Sequence, residues 1–132
     1  MELREVIEKR ESIRDYEDKP IPQEKLLRVL EAARLAPSGS NRQPWKFVVV
    51  KDRQTRQKLA QAAEGQTFVG KAPVVIAAVA TMPELVMICG VAEYPVDLAI
   101  AVDQVEEVYA IIHYHKAVLC FVRVNHQVNW YC

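Results

Sequence analysis

Two arginines flank a serine in the segment Arg10-Glu11-Ser12-Ile13-Arg14. In an extended segment the side chains of Arg10, Ser12 and Arg14 point to one side, because successive side chains alternate. Planar guanidinium groups bind phosphate through paired hydrogen bonds. The segment therefore predicts an anion clamp. The alternative is that both arginines form surface ion pairs with the acidic residues around them, which are Glu11, Asp15, Glu17 and Asp18.

A second candidate group lies in the turn-rich loop from Ser38 to Pro44, directly before Trp45. Gly39 frees backbone N–H groups, and the amides of Asn41 and Gln43 can both donate and accept hydrogen bonds. Such groups suit the edge of a planar heterocycle. The alternative interpretation is an ordinary helix-to-strand connection in which Trp45 fills the core.

The remaining candidates for chemistry are His113-x-His115 with Cys120, and Cys89 with Tyr94. The first group contains residue types that bind zinc or copper, but its spacing matches no standard site. The second lacks a histidine base nearby in the sequence, and a free cysteine is usually a small buried apolar residue. We therefore predict no metal site. We expect reduced thiols at all three cysteines, which are Cys89, Cys120 and Cys132.

Hydrophobic periodicity predicts the helices that position these residues. The first covers residues 2–10, and the second covers 22–35 with an apolar stripe of Leu26, Leu27, Leu30 and Ala33. Asp52 is a predicted N-cap for a third helix that runs to residue 63. A buried helix is predicted over 96–102, and one interpretation of the periodicity continues it to about residue 114.

Strands are predicted at 45–50, where aromatic and β-branched residues cluster, and at 73–81, where a continuous apolar run indicates cover on both faces. Residues 117–124 are compatible with a further strand. Helices that alternate with strands predict an α+β or α/β layered fold.

Length, composition and charge limit the function classes. A chain of 132 residues and 15.0 kDa is expected to form one domain with a real core. The balance of 17 basic and 17 acidic residues excludes a strongly basic nucleic-acid or membrane-surface binder. No apolar run is long enough to span a membrane, and the first residues do not resemble a signal peptide. We therefore expect a cytoplasmic protein.

Three segments in order carry a family resemblance. Residues 10–16 read Arg-Glu-Ser-Ile-Arg-Asp-Tyr, residues 37–45 read Pro-Ser-Gly-Ser-Asn-Arg-Gln-Pro-Trp, and residues 72–76 read Ala-Pro-Val-Val-Ile. Together they resemble the FMN-dependent nitroreductase family. The family's Pro-Ser-x-x-Asn-x-Gln-Pro-Trp pattern is matched at every fixed position, whereas Glu11 departs from its usual Arg-Arg-Ser-Ile-Arg. The similarity extends to about Asp103, roughly three quarters of the chain.

The resemblance implies a three-layer α+β fold, with a central mixed sheet flanked by helices. It also implies an intertwined homodimer with FMN in two clefts at the subunit interface. NAD(P)H would reduce the flavin, which would pass electrons to a nitroaromatic, a quinone or a similar acceptor, so that no catalytic side chain is needed.

The same resemblance implies a role for seven residues. Arg10 and Arg14 would hold the FMN phosphate, and Ser12 would bond near the phosphate or the ribityl chain. Asn41 would bond the pyrimidine edge of the flavin. The loop would be shaped against the cofactor by Pro37, Ser38 and Gly39.

The last part of the chain departs from the family pattern. Only 4 of the 34 charged residues follow Asp103, and residues 104–132 contain no glycine. Family members instead continue with a Gly-Leu-Gly-Thr-like turn, further elements and a late basic phosphate ligand. We expect one domain over 1–132, family-like over 1–103 and divergent or truncated over 104–132, which would leave the fold incomplete at the C-terminus and could impair activity. The alternatives are a flavin-binding or dimer-forming remnant without turnover, and an interaction protein with an exposed apolar tail.

Overall fold

The computed structural model describes residues 3–9, 14–17, 19–111 and 117–122. Within these ranges each predicted helix and strand forms, although several begin or end at residues other than the predicted ones. In chain order they are α1 (Leu3–Lys9), α2 (Gln23–Leu35), β1 (Trp45–Val50), α3 (Arg53–Ala62), α4 (Thr67–Lys71), β2 (Val74–Ala80), α5 (Tyr94–Ile111) and β3 (Ala117–Val122). The short helix α4 was not predicted, because five residues are too few to show a helical period.

The strands form a mixed sheet in the order β1-β2-β3. β1 runs antiparallel to β2, with Trp45 opposite Ala80 and Val50 opposite Val75. β3 runs parallel to β2 on its other side, with Val74 opposite Ala117. Six of the seven residues of β2 are buried, as expected for a central strand covered on both faces.

Helices cover both faces of β2. On one face Val74 and Ile76 pack against residues of α2 and α5, which are Leu26, Val29, Ala33 and Val105. On the other face Val75 packs against residues of α3 and α4 and the segments that follow them, which are Ala60, Ala63, Val69 and Ala72. This alternation follows from the period of two along a strand. The predicted three-layer α+β architecture is confirmed.

Two helical predictions need correction in detail. In α2 the buried residues are Leu26, Val29 and Ala33, whereas Leu27 is exposed. Leu27 lies about 100° around the helix from Leu26, so it falls outside the core-facing stripe. The helix α5 is buried on one face only, because Val96 and Ile100 are exposed while its inner face is buried.

The start of α3 follows the predicted capping. The Asp52 carboxylate accepts hydrogen bonds from the backbone N–H and the hydroxyl of Thr55, both at 2.7 Å. These bonds stabilise the ionised form and lower the pKa of Asp52 below its usual value. No helix in the described part of the chain is both long and apolar enough to cross a membrane.

Candidate functional site

Arg14 is placed on an aromatic ring. Its guanidinium carbon lies 5.9 Å from the centroid of the Phe68 ring, within the range of a cation–π contact. Arg14 is exposed, and Tyr16 two residues later packs into the cluster on the α3–α4 face of the sheet. Glu17, a proposed surface partner for the arginines, pairs with Lys19 at 2.8 Å. Arg10 and Ser12 lie outside the described residues, so the predicted clamp is described only at Arg14.

The ring beneath Arg14 is held by contacts between α3 and α4. The Gly70 carbonyl accepts hydrogen bonds from Arg56 Nη1 at 3.2 Å and from Gln57 Nε2 at 3.3 Å. Arg56 Nη1 also donates to the Ala72 carbonyl, just before β2. Phe68 therefore sits on a helix whose C-terminal carbonyls are bonded to its neighbour. This support could not be predicted from the sequence, because it depends on tertiary contacts.

The loop from Ser38 to Pro44 closes on itself through side chains. The Ser38 hydroxyl oxygen accepts a hydrogen bond from the Gln43 N–H at 2.8 Å. Gln43 Nε2 donates to the Arg34 carbonyl in the last turn of α2, at 3.2 Å. The Gln43 amide, which the sequence offered as a ligand for a heterocycle, thus holds the end of α2 instead. The Asn41 side chain is exposed.

Three residues of this loop have left-handed backbone conformations. The φ angles are 51° at Ser40, 53° at Asn41 and 52° at Gln43. Asparagine tolerates this region, but serine and glutamine adopt it at a cost. Such conformations persist only where the surrounding structure holds them. The loop must therefore be fixed by contacts outside itself.

Besides the bond from Gln43 to α2, such contacts come from the start of α5. The Gly39 N–H donates to Asp97 Oδ1 at 3.1 Å, and Arg42 Nη1 donates to both carboxylate oxygens of Glu93, at 2.9 and 3.0 Å. Both carboxyl residues are buried, with 5% of Glu93 and 4% of Asp97 exposed. A Cβ atom at Gly39 would overlap the Glu93 carboxylate and lie 2.7 Å from its Cδ. A side chain at residue 39 would therefore displace the Glu93 carboxylate.

Glu93 and Asp97 were not predicted as site residues. Their signal was faint: two carboxylates four residues apart beside the apolar first half of a helix. Trp45 does pack into the core, as the alternative interpretation of the loop proposed. It joins the cluster of Ala78, Ala80 and Leu98, and its ring centroid lies 6.4 Å from that of Phe47. Filling the core and presenting a polar loop are therefore compatible.

The two predicted groups lie near opposite ends of β2. Phe68, beneath Arg14, packs in the cluster that contains Val75 at the start of the strand. The loop is bonded to the other end, where the Thr81 N–H donates to the Pro44 carbonyl at 3.0 Å. Thr81 follows Val75 by six residue steps, which is about 20 Å along an extended strand. The structure does not bring Arg14 and Asn41 of one chain together.

The other candidates form no site among the described residues. No group of three or more metal-ligating side chains occurs in that part of the chain. His113 and His115 lie outside it. Cys89 is free, as predicted, but it is exposed rather than buried.

The comparisons with known proteins decide the family. The family model described as "Nitroreductase family" matches residues 7–124. The chain belongs to the nitroreductase family.

Curated nitroreductase-family relatives align over about half of the chain. An NADH dehydrogenase of Thermus thermophilus is 52% identical over 68 residues, which are 52% of this chain and 33% of the relative. An FMN reductase [NAD(P)H] of Bacillus subtilis is 40% identical over 63 residues, 48% of this chain and 25% of the relative. An iodotyrosine deiodinase of Haliscomenobacter hydrossis is 39% identical over 67 residues, 51% of this chain and 30% of the relative. The aligned stretches thus span a third or less of each of these relatives.

Solved structures of nitroreductases share the fold over a longer stretch. A nitroreductase family protein from Clostridium novyi NT superposes with a TM-score of 0.75 at 34% identity, covering 85% of this chain and 65% of that one. An FMN-dependent nitroreductase from Clostridium difficile R20291 superposes with a TM-score of 0.71 at 30% identity, covering 81% and 60%. This chain spans less than two thirds of either structure.

Proposed function

We propose that this protein is an FMN-dependent oxidoreductase that passes electrons from NAD(P)H to a nitroaromatic, a quinone or a similar acceptor. The observation that carries the proposal is that a chain of the nitroreductase family has both an exposed arginine on an aromatic ring and a strained loop that exposes an amide. An FMN reductase and an FMN-dependent nitroreductase among the similar proteins support the choice of cofactor.

The described residues fit the two ends of FMN. Arg14 offers an exposed guanidinium to a phosphate group, and the family resemblance adds Arg10 and Ser12 beside it. At the other end the exposed Asn41 amide carries both a donor and an acceptor, which suits the pyrimidine edge of a flavin ring. The loop surface against the ring would come from Pro37, Ser38 and Gly39.

A homodimer explains why the two groups lie so far apart in one chain. If each site takes Arg14 from one protomer and Asn41 from the other, the separation along β2 is no obstacle. Exposed apolar side chains beyond β2 and on α5 also favour a partner: Val86, Ile88, Val91, Val96 and Ile100. We therefore place FMN at the subunit interface, with both chains contributing to each site.

The protein's own residues bind and orient in this proposal. FMN, when bound, supplies the redox chemistry, accepting a hydride from NAD(P)H and delivering electrons to the acceptor. Arg14 fixes the phosphate end and Asn41 fixes the ring end, so the ring is presented in one orientation. No side chain of this chain is assigned a catalytic role. We place the protein in the cytoplasm, as one domain over 1–132, in keeping with the free thiol of Cys89.

The test is a visible absorption spectrum of the protein after reconstitution with FMN and desalting, followed by anaerobic addition of NADH and of NADPH. Retained flavin that bleaches with either nucleotide supports the oxidoreductase. Retained flavin that stays yellow supports the alternative, a flavin-binding or dimer-forming remnant without turnover. Protein that retains no flavin contradicts both.

A further inference from the structure

We propose that Glu93 and Asp97 at the start of α5 are positioning residues. They hold the loop from Ser38 to Pro44, which carries Asn41, in the conformation that binds the flavin ring. The inference rests on the proposed function. It assigns a role in cofactor binding to two buried carboxylates that are not themselves expected to touch the flavin.

The backbone of the loop around Asn41 is strained. Ser40, Asn41 and Gln43 all have φ near 50°, so the conformation that exposes the Asn41 amide is not one the segment prefers by itself. Within the loop, the Ser38 hydroxyl bonds Gln43 on the far side of Asn41. That bond closes the loop but does not attach it to the rest of the fold.

The start of α5 attaches the loop on both sides of Asn41, whereas the bonds between Gln43 and Arg34 and between Pro44 and Thr81 lie only on its C-terminal side. Asp97 accepts the Gly39 N–H two residues before it, and Glu93 binds the Arg42 guanidinium one residue after it. Glu93 directly precedes α5, and its carbonyl accepts the Asp97 N–H at 3.1 Å, so the two residues lie together at the start of the helix. Asn41 is thus held between two bonds to one rigid element.

The two carboxylates at the start of α5 are buried. Asp97 Oδ2 is buried and has no hydrogen-bond partner among the described residues. An unsatisfied buried carboxylate oxygen is costly, and its position in the first turn of α5 offsets only part of that cost. The pairing of Glu93 with Arg42 likewise holds a nearly buried carboxylate. A role in fixing the loop explains why both groups occupy these positions.

The experiment measures the dissociation constants of FMN and of riboflavin by quenching of flavin fluorescence. The variants are Glu93→Gln and Asp97→Asn, which keep the shape of each side chain and remove its charge. Glu84→Gln and Asp103→Asn are the matched controls, because these carboxylates are exposed and lie outside the loop contacts. Thermal unfolding is recorded for every variant.

We expect Glu93→Gln and Asp97→Asn each to weaken FMN and riboflavin by the same factor, about tenfold, since a charge-assisted bond to the ring-end loop is lost. The controls should change neither constant by more than about twofold. Equal effects on the two flavins identify the ring end, because riboflavin lacks the phosphate. Should Glu93→Gln fail to fold, Arg42→Gln removes the same contact from its more exposed side.

A double-mutant cycle separates positioning from general destabilisation. Arg42→Gln should weaken both flavins in the wild-type background, because it removes the guanidinium that Glu93 binds. In a Glu93→Ala background the same substitution should have little further effect, since the partner of that guanidinium is already absent.

Wild-type flavin affinities in Glu93→Gln and Asp97→Asn, or a fall in melting temperature without a change in affinity, would overturn the inference while leaving the proposed function intact. Equal, additive losses in the Arg42–Glu93 cycle would also overturn it. Wild-type protein that binds neither flavin would overturn the proposed function itself, and the inference with it.

Discussion

Replacing Arg14 with alanine should weaken FMN binding and leave riboflavin binding unchanged. A hydrogen bond to a charged group contributes about 1.5 to 3 kcal/mol, which corresponds to a change of about 10- to 150-fold in the dissociation constant. Arg14 is exposed, so solvent screening places the expected loss near the lower end, about tenfold. In the wild-type protein, the difference between the dissociation constants of FMN and riboflavin should also narrow as the salt concentration is raised.

A substitution at Phe68 should weaken FMN binding less than the loss of Arg14 does. Phe68→Leu keeps an apolar residue on α4 but removes the aromatic face 5.9 Å from the guanidinium carbon of Arg14. An exposed cation–π contact is worth about 0.5 to 1 kcal/mol, so FMN affinity should fall by about two- to fivefold. Fluorescence titrations with both flavins measure each effect. Equal weakening of FMN and riboflavin by Arg14→Ala would refute the assignment of Arg14 to the phosphate.

Three further outcomes follow from the described contacts. Asn41→Ala and Asn41→Gly should both weaken the binding of FMN and of riboflavin by about 2- to 13-fold in the same fluorescence titrations, because both remove a neutral amide bond. Glycine also relieves the backbone strain, so full affinity in Asn41→Gly would show that the amide is not used. Asp52→Ala should lower the melting temperature at neutral pH. Because Thr55 lowers the pKa of Asp52 in the folded state, this contribution is present above the ordinary aspartate pKa and is lost as pH falls through the lowered value, so the two melting curves should converge in acid. Ile76→Ala should cost about 2 to 5 kcal/mol of unfolding free energy and Ile76→Val about 0.5 to 1.5, measured by chemical denaturation, since Ile76 is fully buried; equal costs would contradict its place in the core.

The helices and strands could be predicted because their signals are local. The Val/Ile/Ala run of β2 indicated cover on both faces, and Asp52 indicated the start of α3 through its capping chemistry. The stripe of α2 was misplaced at Leu27, because four apolar residues close together admit two overlapping faces. Which face of α2 is buried depends on the positions of α5 and β2, and these cannot be predicted from the local sequence pattern.

Candidate site residues could be named from the sequence, but their arrangement could not. Arg14 and the loop around Asn41 were found from their chemistry and from a resemblance to a family. The use of Gln43 to hold α2, and the attachment of the loop to Glu93 and Asp97, depend on contacts between residues far apart in the sequence. For the same reason the separation of Arg14 from Asn41 along β2 became visible only in the fold.

The claim that each site draws Arg14 from one chain and Asn41 from the other can be tested by subunit complementation. Arg14→Ala and Asn41→Ala chains carrying different tags are mixed, unfolded and refolded together, and the heterodimer is purified through both tags. In this heterodimer one site carries both substitutions and the other carries neither. We predict recovery of about half of the wild-type FMN-binding capacity at wild-type affinity. A heterodimer with no site of wild-type affinity, or a protein that remains monomeric, would contradict the shared site.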